Sequence, residues 1–302
     1  MGVSFITVIA KKRLALICFT AAALALIVAL NAFFDILGIL ESNQIGRFKN
    51  SVRIPVLMYH HFDEGGLPEV TISADAFERH IKALSDAGYT AISFDELCAY
   101  ACSGAPLPEL PVIITIDDGY MSVYETAYPI LRKYEMTATV FIIGVFHGES
   151  LYKNNPFWQI IPHFGDSEAL EMAASGVLSI QSHSYDMHQY EPYEETYREG
   201  VLRMRGERRP DYAEAFSLDF ERAADQIENA VGARPFVYAY PFGKNSRLSE
   251  SLLADLGVSV TLTTVPGVNT VIRDSPQSLR RLKRFNVPGD MTAVELLELI
   301  NR

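Results

Sequence analysis

The sequence predicts an α/β fold in which parallel strands alternate with helices. Short apolar or β-branched runs bounded by proline and glycine indicate buried strands, and apolar residues at helical spacing follow several of them. Such alternation is typical of parallel βα units. Three polar motifs stand at or just after strand ends, where barrels of parallel strands place their active sites.

The predicted elements follow one another in order along the chain. The first strand is 55–59. Ser73 caps a helix in which Phe77, Ile81 and Leu84 recur at helical spacing, and Asp95 caps a second helix. The same criteria give strands at 111–116, 138–143, 178–182, 236–240, 259–263 and 284–287, and helices at 122–134, 216–231, 249–256 and 292–300.

Length and charge limit the classes of protein that fit. The chain has 302 residues and is 49% hydrophobic, which suits one large domain or two small ones together with one apolar segment. The whole chain carries a net charge of −11 and its first 35 residues carry +2, so the remainder carries −13. This acidic balance argues against nucleic acid as a partner.

The N-terminal apolar segment predicts a membrane anchor. Residues 14–30 contain one residue outside the apolar set, Thr20, and a helix extended to residue 34 is about 31 Å long, enough for a bilayer core. The basic residues 11–13 favour a cytoplasmic N-terminus. A cleaved signal peptide is the alternative. The predicted single-pass cell-membrane protein has a cytoplasmic N-terminus (1–13), a transmembrane anchor (14–36), a stalk (37–52) and an extracytoplasmic domain (53–302).

Two adjacent carboxylates, Asp117 and Asp118, end the strand at 111–116. Buried carboxylates are costly, so such a pair usually has a partner or a chemical task. His183 and His188 follow the strand at 178–182 and supply candidate partners. Asp118 and the two imidazoles form a ligand set suited to one divalent ion, zinc, with an open position. Asp117 then remains available as a base.

Three motifs resemble those of the polysaccharide deacetylases, the carbohydrate esterases of family 4 with the NodB homology domain. The first is 116–120, Ile-Asp-Asp-Gly-Tyr. The second is His183-Ser184 with His188, and the third is 240–243, Tyr-Pro-Phe-Gly. The resemblance extends from residue 54 to the C-terminus. It implies a distorted (β/α) barrel of parallel strands, TIM-barrel-like with seven strands, and a metal-dependent hydrolase.

The resemblance also implies roles for residues outside the ligand set. In the family, the aromatic residue before the glycine of the third motif donates a backbone N–H to the oxyanion, and here that residue is Phe242. Tyr240 is expected to form a wall of the site or to donate from its hydroxyl. Many members pair the base with an arginine in the third motif. Position 239 is alanine here, so Arg284 in the late strand is the expected substitute.

The general acid is left unassigned by the sequence. Many members use a late histidine, and no histidine follows His188. His60 and His61, at the end of the first strand, are alternatives, and a Met-Tyr-His pattern shared with a subset of the family favours His60 as a substrate contact. Tyr185 and Tyr190 flank the ligands and are predicted to stack on sugar rings.

The predicted function is removal of N-acetyl groups from a polysaccharide of the cell wall or an exported polysaccharide that contains N-acetylhexosamine. Activated water serves ester and amide hydrolysis alike, so a carbohydrate O-acetyl esterase is an alternative. A glycan-binding protein of low activity is a second alternative, favoured only by the absent late histidine. The identity of the glycan is left open.

Overall fold

Seven parallel strands form a half-barrel at the centre of the fold. The structure is a computed structural model and describes residues 50–190, 194 and 197–301. The strands in the described residues are β1 (Ser51–Ile54), β2 (Val56–Tyr59), β3 (His61–Phe62), β4 (Thr71–Ile72), β5 (Thr90–Ala91), β6 (Pro111–Asp118), β7 (Ala138–Ile142), β8 (Leu178–Ser182), β9 (Val237–Ala239), β10 (Val260–Leu262), β11 (Asn269–Ile272) and β12 (Phe285–Asn286). The strands of the half-barrel follow the order β10-β9-β8-β7-β6-β2-β12, and β5 pairs with the start of β6.

Helices connect most of the parallel strands. They are α1 (Ala74–Asp86), α2 (Phe94–Ser103), α3 (Tyr128–Lys133), α4 (Asp166–Ala174), α5 (Arg209–Val231), α6 (Arg247–Asp255) and α7 (Ala293–Ile300). Ser73 caps α1 as predicted. The prediction for α2 was wrong, because Ser93 caps it in a capping box with Glu96 and Asp95 lies in the first turn. Helix α4 was not predicted.

The two faces of β6 pack against different apolar groups. Val112, Ile114 and Ile116 belong to the cluster that includes residues of α1, α3, α4 and α7. Ile113 belongs to a second cluster, with residues of β7, β9 and β10. Because side chains alternate along a strand, Thr115 and Asp117 lie on the same face as Ile113. The parallel pairing of β6 with β2 and β7 places the carboxyl ends of these strands at one edge of the sheet.

Most residues of the predicted N-terminal anchor and stalk are not among the described residues. The proposed anchor, 14–36, and the stalk up to residue 49 lie outside the described residues. Ser51 and Val52, assigned to the stalk, instead belong to β1, which pairs with β11. Among the described residues, none of the helices has the length and hydropathy needed to span a bilayer.

Candidate metal centre

The end of β6 turns so that two neighbouring carboxylates face one site. In a continuing strand Asp117 and Asp118 would point to opposite faces. Asp118 has φ 73° and Gly119 has φ 85°, so both adopt the left-handed conformation. The left-handed turn thus begins at Asp118, one residue before the glycine. A non-glycine residue in this region costs about 1–3 kcal/mol and is typical of functional sites.

Arg284 holds Asp117 through a bidentate contact. Its Nη1 donates to Oδ1 of Asp117 at 2.6 Å and its Nη2 donates to Oδ2 at 2.8 Å. The guanidinium is completely buried and also donates to the carbonyl oxygen of Thr263 and the hydroxyl of Thr115. Arg284 thus makes the predicted contact with Asp117. Although burial raises the pKa of Asp117, the charge of Arg284 and the hydrogen bonds that it donates hold that pKa below its usual range.

Asp118, His183 and His188 converge as the ligand set predicted. Oδ1 of Asp118 lies 3.7 Å from Nε2 of His183 and 3.7 Å from Nε2 of His188. In a tetrahedral zinc site, ligand atoms about 2.0–2.2 Å from the ion lie roughly 3.3–3.6 Å from one another. Both separations from Asp118 are close to this range, and the candidate ligand atoms of the three residues all lie within 4.8 Å of one another, so the three residues could hold a single divalent ion.

The hydrogen bonds of these side chains also fit a metal. Nδ1 of His183 donates to the carbonyl oxygen of Ala239 at 2.7 Å, which leaves Nε2 with its lone pair. Within the described part of the chain, Oδ1 of Asp118 is buried without a hydrogen-bond partner. Such an orphaned oxygen is rare in a folded protein unless an ion or water satisfies it. The donor set of two imidazoles and one carboxylate is typical of catalytic zinc sites.

The side chains of Phe242 and Tyr240, both in the third motif, lie in different surroundings. Phe242 has φ 55°, and its ring packs on His188 with centroids 4.2 Å apart. It is the second residue of a short 3₁₀ turn, where N–H groups lack acceptors within the turn. Tyr240 is fully buried, and its hydroxyl donates to Glu250 at 2.8 Å. The direct role predicted for Tyr240 is therefore wrong, because its side chain packs in the core behind the motif.

The two histidines after β2 have different environments. Nδ1 of His61 lies 2.8 Å from the hydroxyl oxygen of Ser122, so His61 is hydrogen-bonded to the segment that follows β6. His60 is partly exposed and directly follows Tyr59, which pairs with Ile116 of β6. His60 therefore stands at the strand end next to the one that carries Asp117 and Asp118.

The two tyrosines that flank the ligands in sequence, Tyr185 and Tyr190, lie in different places. The ring of Tyr190 approaches His188 edge-on, with centroids 6.0 Å apart, and lines the cavity in front of the ligands. Tyr185 instead lies over Gly144 and near the guanidinium of Arg222. Tyr185 is therefore not among the residues that line the cavity in front of the ligands, because its ring, after the left-handed residue Ser184, lies toward α5.

Sequence reasoning missed one wall of the cavity beside the ligands. This cavity of about 240 Å³ is bounded on that wall by the loop after β7 and by Tyr120, and the wall residues are Tyr120, Ile143, Phe146, Gln159, Ile160, Ile161 and His163. Tyr120 and His163 form an isolated antiparallel bridge, and their ring centroids are 4.8 Å apart. Burial lowers the pKa of His163 to about 4. No periodicity marks this loop, and the position of Tyr120 after Asp118 was the one available signal.

Comparisons with known proteins agree with this geometry. The family model described as polysaccharide deacetylase matches residues 104–261, just over half of the chain. YxkH of Bacillus subtilis, named for the same family, is 28% identical over 240 residues, which cover 80% of this chain and 73% of that protein. The poly-β-1,6-N-acetyl-D-glucosamine N-deacetylase of Escherichia coli K12 is 24% identical over 66% of this chain, and the match spans 32% of that enzyme. The Staphylococcus aureus MRSA252 protein of the same name is 33% identical over 39% of this chain and 38% of its own length.

Solved structures share the fold. A de-N-acetylase from Aggregatibacter actinomycetemcomitans superposes with a TM-score of 0.70 at 21% identity and covers 82% of this chain and 100% of that one. IcaB from Ammonifex degensii gives a TM-score of 0.67 at 22% identity over 83% and 97% of the two chains. With the family model matched across the strands that carry Asp117, Asp118, His183 and His188, this chain is a member of the polysaccharide deacetylase family.

Proposed function

We propose that this deacetylase removes N-acetyl groups from a polymer of N-acetylhexosamine with the help of one divalent metal ion, zinc. The observation that carries the proposal is that the candidate base lies next to the candidate metal ligands. Arg284 fixes the carboxylate of Asp117, and Oδ2 of Asp117 lies 3.9 Å from Nε2 of the ligand His183. A base beside a three-ligand site suits hydrolysis by activated water.

Each residue of the site has a separate role in the proposed reaction. An ion held by Asp118, His183 and His188 would polarise the acetyl carbonyl and lower the pKa of a water molecule. Asp117, kept ionised by Arg284, takes the proton of the attacking water. The backbone N–H of Phe242 donates to the carbonyl oxygen as negative charge develops there. The amine nitrogen needs a proton when it leaves. His60 stands at the strand end beside the two carboxylates, a position from which it can donate that proton.

The proposed substrate is an exported glycan of the poly-β-1,6-N-acetylglucosamine type or a related cell-wall glycan. The relatives from Escherichia coli and Staphylococcus aureus are named for that polymer, although each match spans about a third of the relative's length. The ring of Phe242, 41% exposed, and that of Tyr190, 36% exposed, stand at the site and offer apolar faces to sugar rings.

Acetate release from defined glycans tests this function. Metal-stripped protein is assayed with and without added zinc on oligomers of β-1,6-linked N-acetylglucosamine, on chitin oligomers and on an O-acetylated glycan. We expect zinc-dependent release from an N-acetylated oligomer. Release from the O-acetylated glycan alone would support the esterase alternative, and binding without release would support the glycan-binding alternative.

We further propose that an N-terminal helix at 14–36 anchors the enzyme in the cell membrane with its catalytic domain outside. The support is the uncharged apolar run after the basic residues 11–13. The full-length chain should appear in the membrane fraction, and external protease should degrade its catalytic domain in intact cells or spheroplasts. A mature form in the medium that begins between residues 31 and 51 would show that the segment is a cleaved signal.

A further inference from the structure

The loop between the two histidine ligands has an unusual backbone. His183 and His188 are five residues apart, so they do not share the face of a regular helix. Ser184, directly after the first ligand, has φ 83°. A left-handed residue at this point turns the next two N–H groups in a common direction, which creates a small concavity suited to an anion. The conformation leaves these N–H groups without helical partners, so an acceptor must come from elsewhere.

Asp219, near the middle of α5, supplies that acceptor. Its Oδ2 accepts from the N–H of Tyr185 at 2.9 Å, and its Oδ1 accepts from the N–H of Asp186 at 2.7 Å. Each carboxylate oxygen thus binds one of two successive amides. The side chain is buried, and burial raises the pKa of Asp219 to about 6 while the two amides act in the opposite direction. Burying a carboxylate is costly, and an ordinary core position would hold an apolar residue.

The opposite side of the same loop is held by the turn after β7. The N–H of Gly144 donates to the carbonyl oxygen of Ser184 at 3.0 Å, and the N–H of Val145 donates to that of Tyr185 at 2.9 Å. A Cβ at Gly144 would stand 2.5 Å from the ring of Tyr185, so the approach requires glycine. The hydroxyl of Ser184 accepts from the N–H of Met187 at 3.1 Å, just before the second ligand. Two successive N–H groups of the loop, those of Tyr185 and Asp186, therefore bind Asp219, while the carbonyl groups of Ser184 and Tyr185 bind the turn after β7.

We propose that Asp219 is a positioning residue for the metal: its carboxylate fixes the loop 184–187 so that His188 faces His183 and Asp118 before any ion binds. This inference rests on the metal dependence in the proposed function. Groups that orient metal ligands typically contribute 10–100-fold to metal affinity. Asp219 binds backbone N–H groups of the loop, so its effect on the ligands passes through the backbone of the loop.

The test compares Asp219→Asn with Asp225→Asn, a variant on the same helix whose carboxylate is exposed and pairs with Arg234. The asparagine keeps one acceptor oxygen but turns an NH₂ group toward the other amide. Zinc affinity of the metal-stripped proteins is measured by competition with a chromogenic chelator, and the cobalt-substituted proteins are compared by visible absorption. We expect Asp219→Asn to bind zinc about 10–100-fold more weakly with an altered cobalt spectrum. Asp225→Asn should match the wild type.

A second measurement needs no variant. In the metal-free wild-type protein, the amide hydrogens of Tyr185 and Asp186 should exchange slowly, because the carboxylate already binds them. Rapid exchange at both, or equal zinc affinity in Asp219→Asn and the wild type, would overturn the positioning role and leave the proposed function standing. Wild-type protein without stoichiometric zinc would overturn both.

Discussion

Replacing Asp117 with asparagine is expected to reduce kcat/KM for deacetylation by about 10²–10⁴-fold, the usual contribution of a general base. The amide nearly preserves the shape of the side chain but does not accept a proton from water. The three ligands are unchanged, so the variant should still bind one equivalent of metal. Initial rates of acetate release, together with metal analysis of the same preparation, measure both expectations.

The contact with Arg284 makes this variant less stable as well as less active. Its guanidinium is completely buried and loses an ionised partner, and breaking a buried ion pair in this way typically costs about 3–5 kcal/mol. The rates should therefore be measured well below the melting temperature of the variant. Asp211→Asn, at an exposed carboxylate that pairs with Arg208, is the matched control and should leave rate and stability near those of the wild type.

A double variant separates the two effects. Asp117→Asn combined with Arg284→Met removes the unpaired cation, so it should recover part of the lost stability without recovering activity. Recovery of activity in the double variant would mean that the loss came from the stranded arginine. A single variant within threefold of the wild-type rate would remove Asp117 from the mechanism.

Replacing either histidine ligand with alanine is expected to abolish stoichiometric metal and, with it, deacetylation. Each replacement leaves two of the three protein ligands, and catalytic zinc sites commonly retain three. Metal content after dialysis against a weak chelator measures the loss. Melting temperatures with and without zinc provide a second reading, because a ligand that binds the folded state raises the melting temperature.

His61→Ala is the matched control for these two variants. This histidine belongs to the same region but bonds to Ser122 rather than to the ligand set. It should retain one equivalent of zinc and the zinc-dependent shift in melting temperature. One equivalent of metal in both His183→Ala and His188→Ala would refute the assigned ligand set.

Local pattern was enough to locate the parallel strands and the polar groups at their ends. Strand β6 is buried along its whole length, so its apolar run could be recognised without knowledge of its neighbours. The carboxyl ends of parallel strands meet at one edge, which brings Asp117 and Asp118 near His183 wherever the sheet forms. Arg284 was named only because the family resemblance raised the question of a missing arginine.

The direction of individual side chains depended on tertiary structure. Tyr185 and Tyr240 both follow strand ends in sequence. The ring of Tyr240 is buried in the core, and the ring of Tyr185, after the left-handed residue Ser184, lies near Arg222 of α5. Periodicity does not report such turns. The wall formed by Tyr120 and His163 depends on a loop that folds back across the end of β6.

The sequence by itself determined the composition of this site: two carboxylates at one strand end, two histidines at another and an aromatic residue before Gly243. These features are local, since each depends on a few neighbouring residues and the edge at which parallel strands end. The contacts that hold them are not local: Arg284 was expected only through the family resemblance, and Asp219 was identified only from the tertiary structure. Asp219 binds the N–H of Tyr185 from 34 residues away, and Arg284 binds Asp117 from 167 residues away. Contacts over such separations are set by how helices and strands pack, and no local pattern in one chain records them.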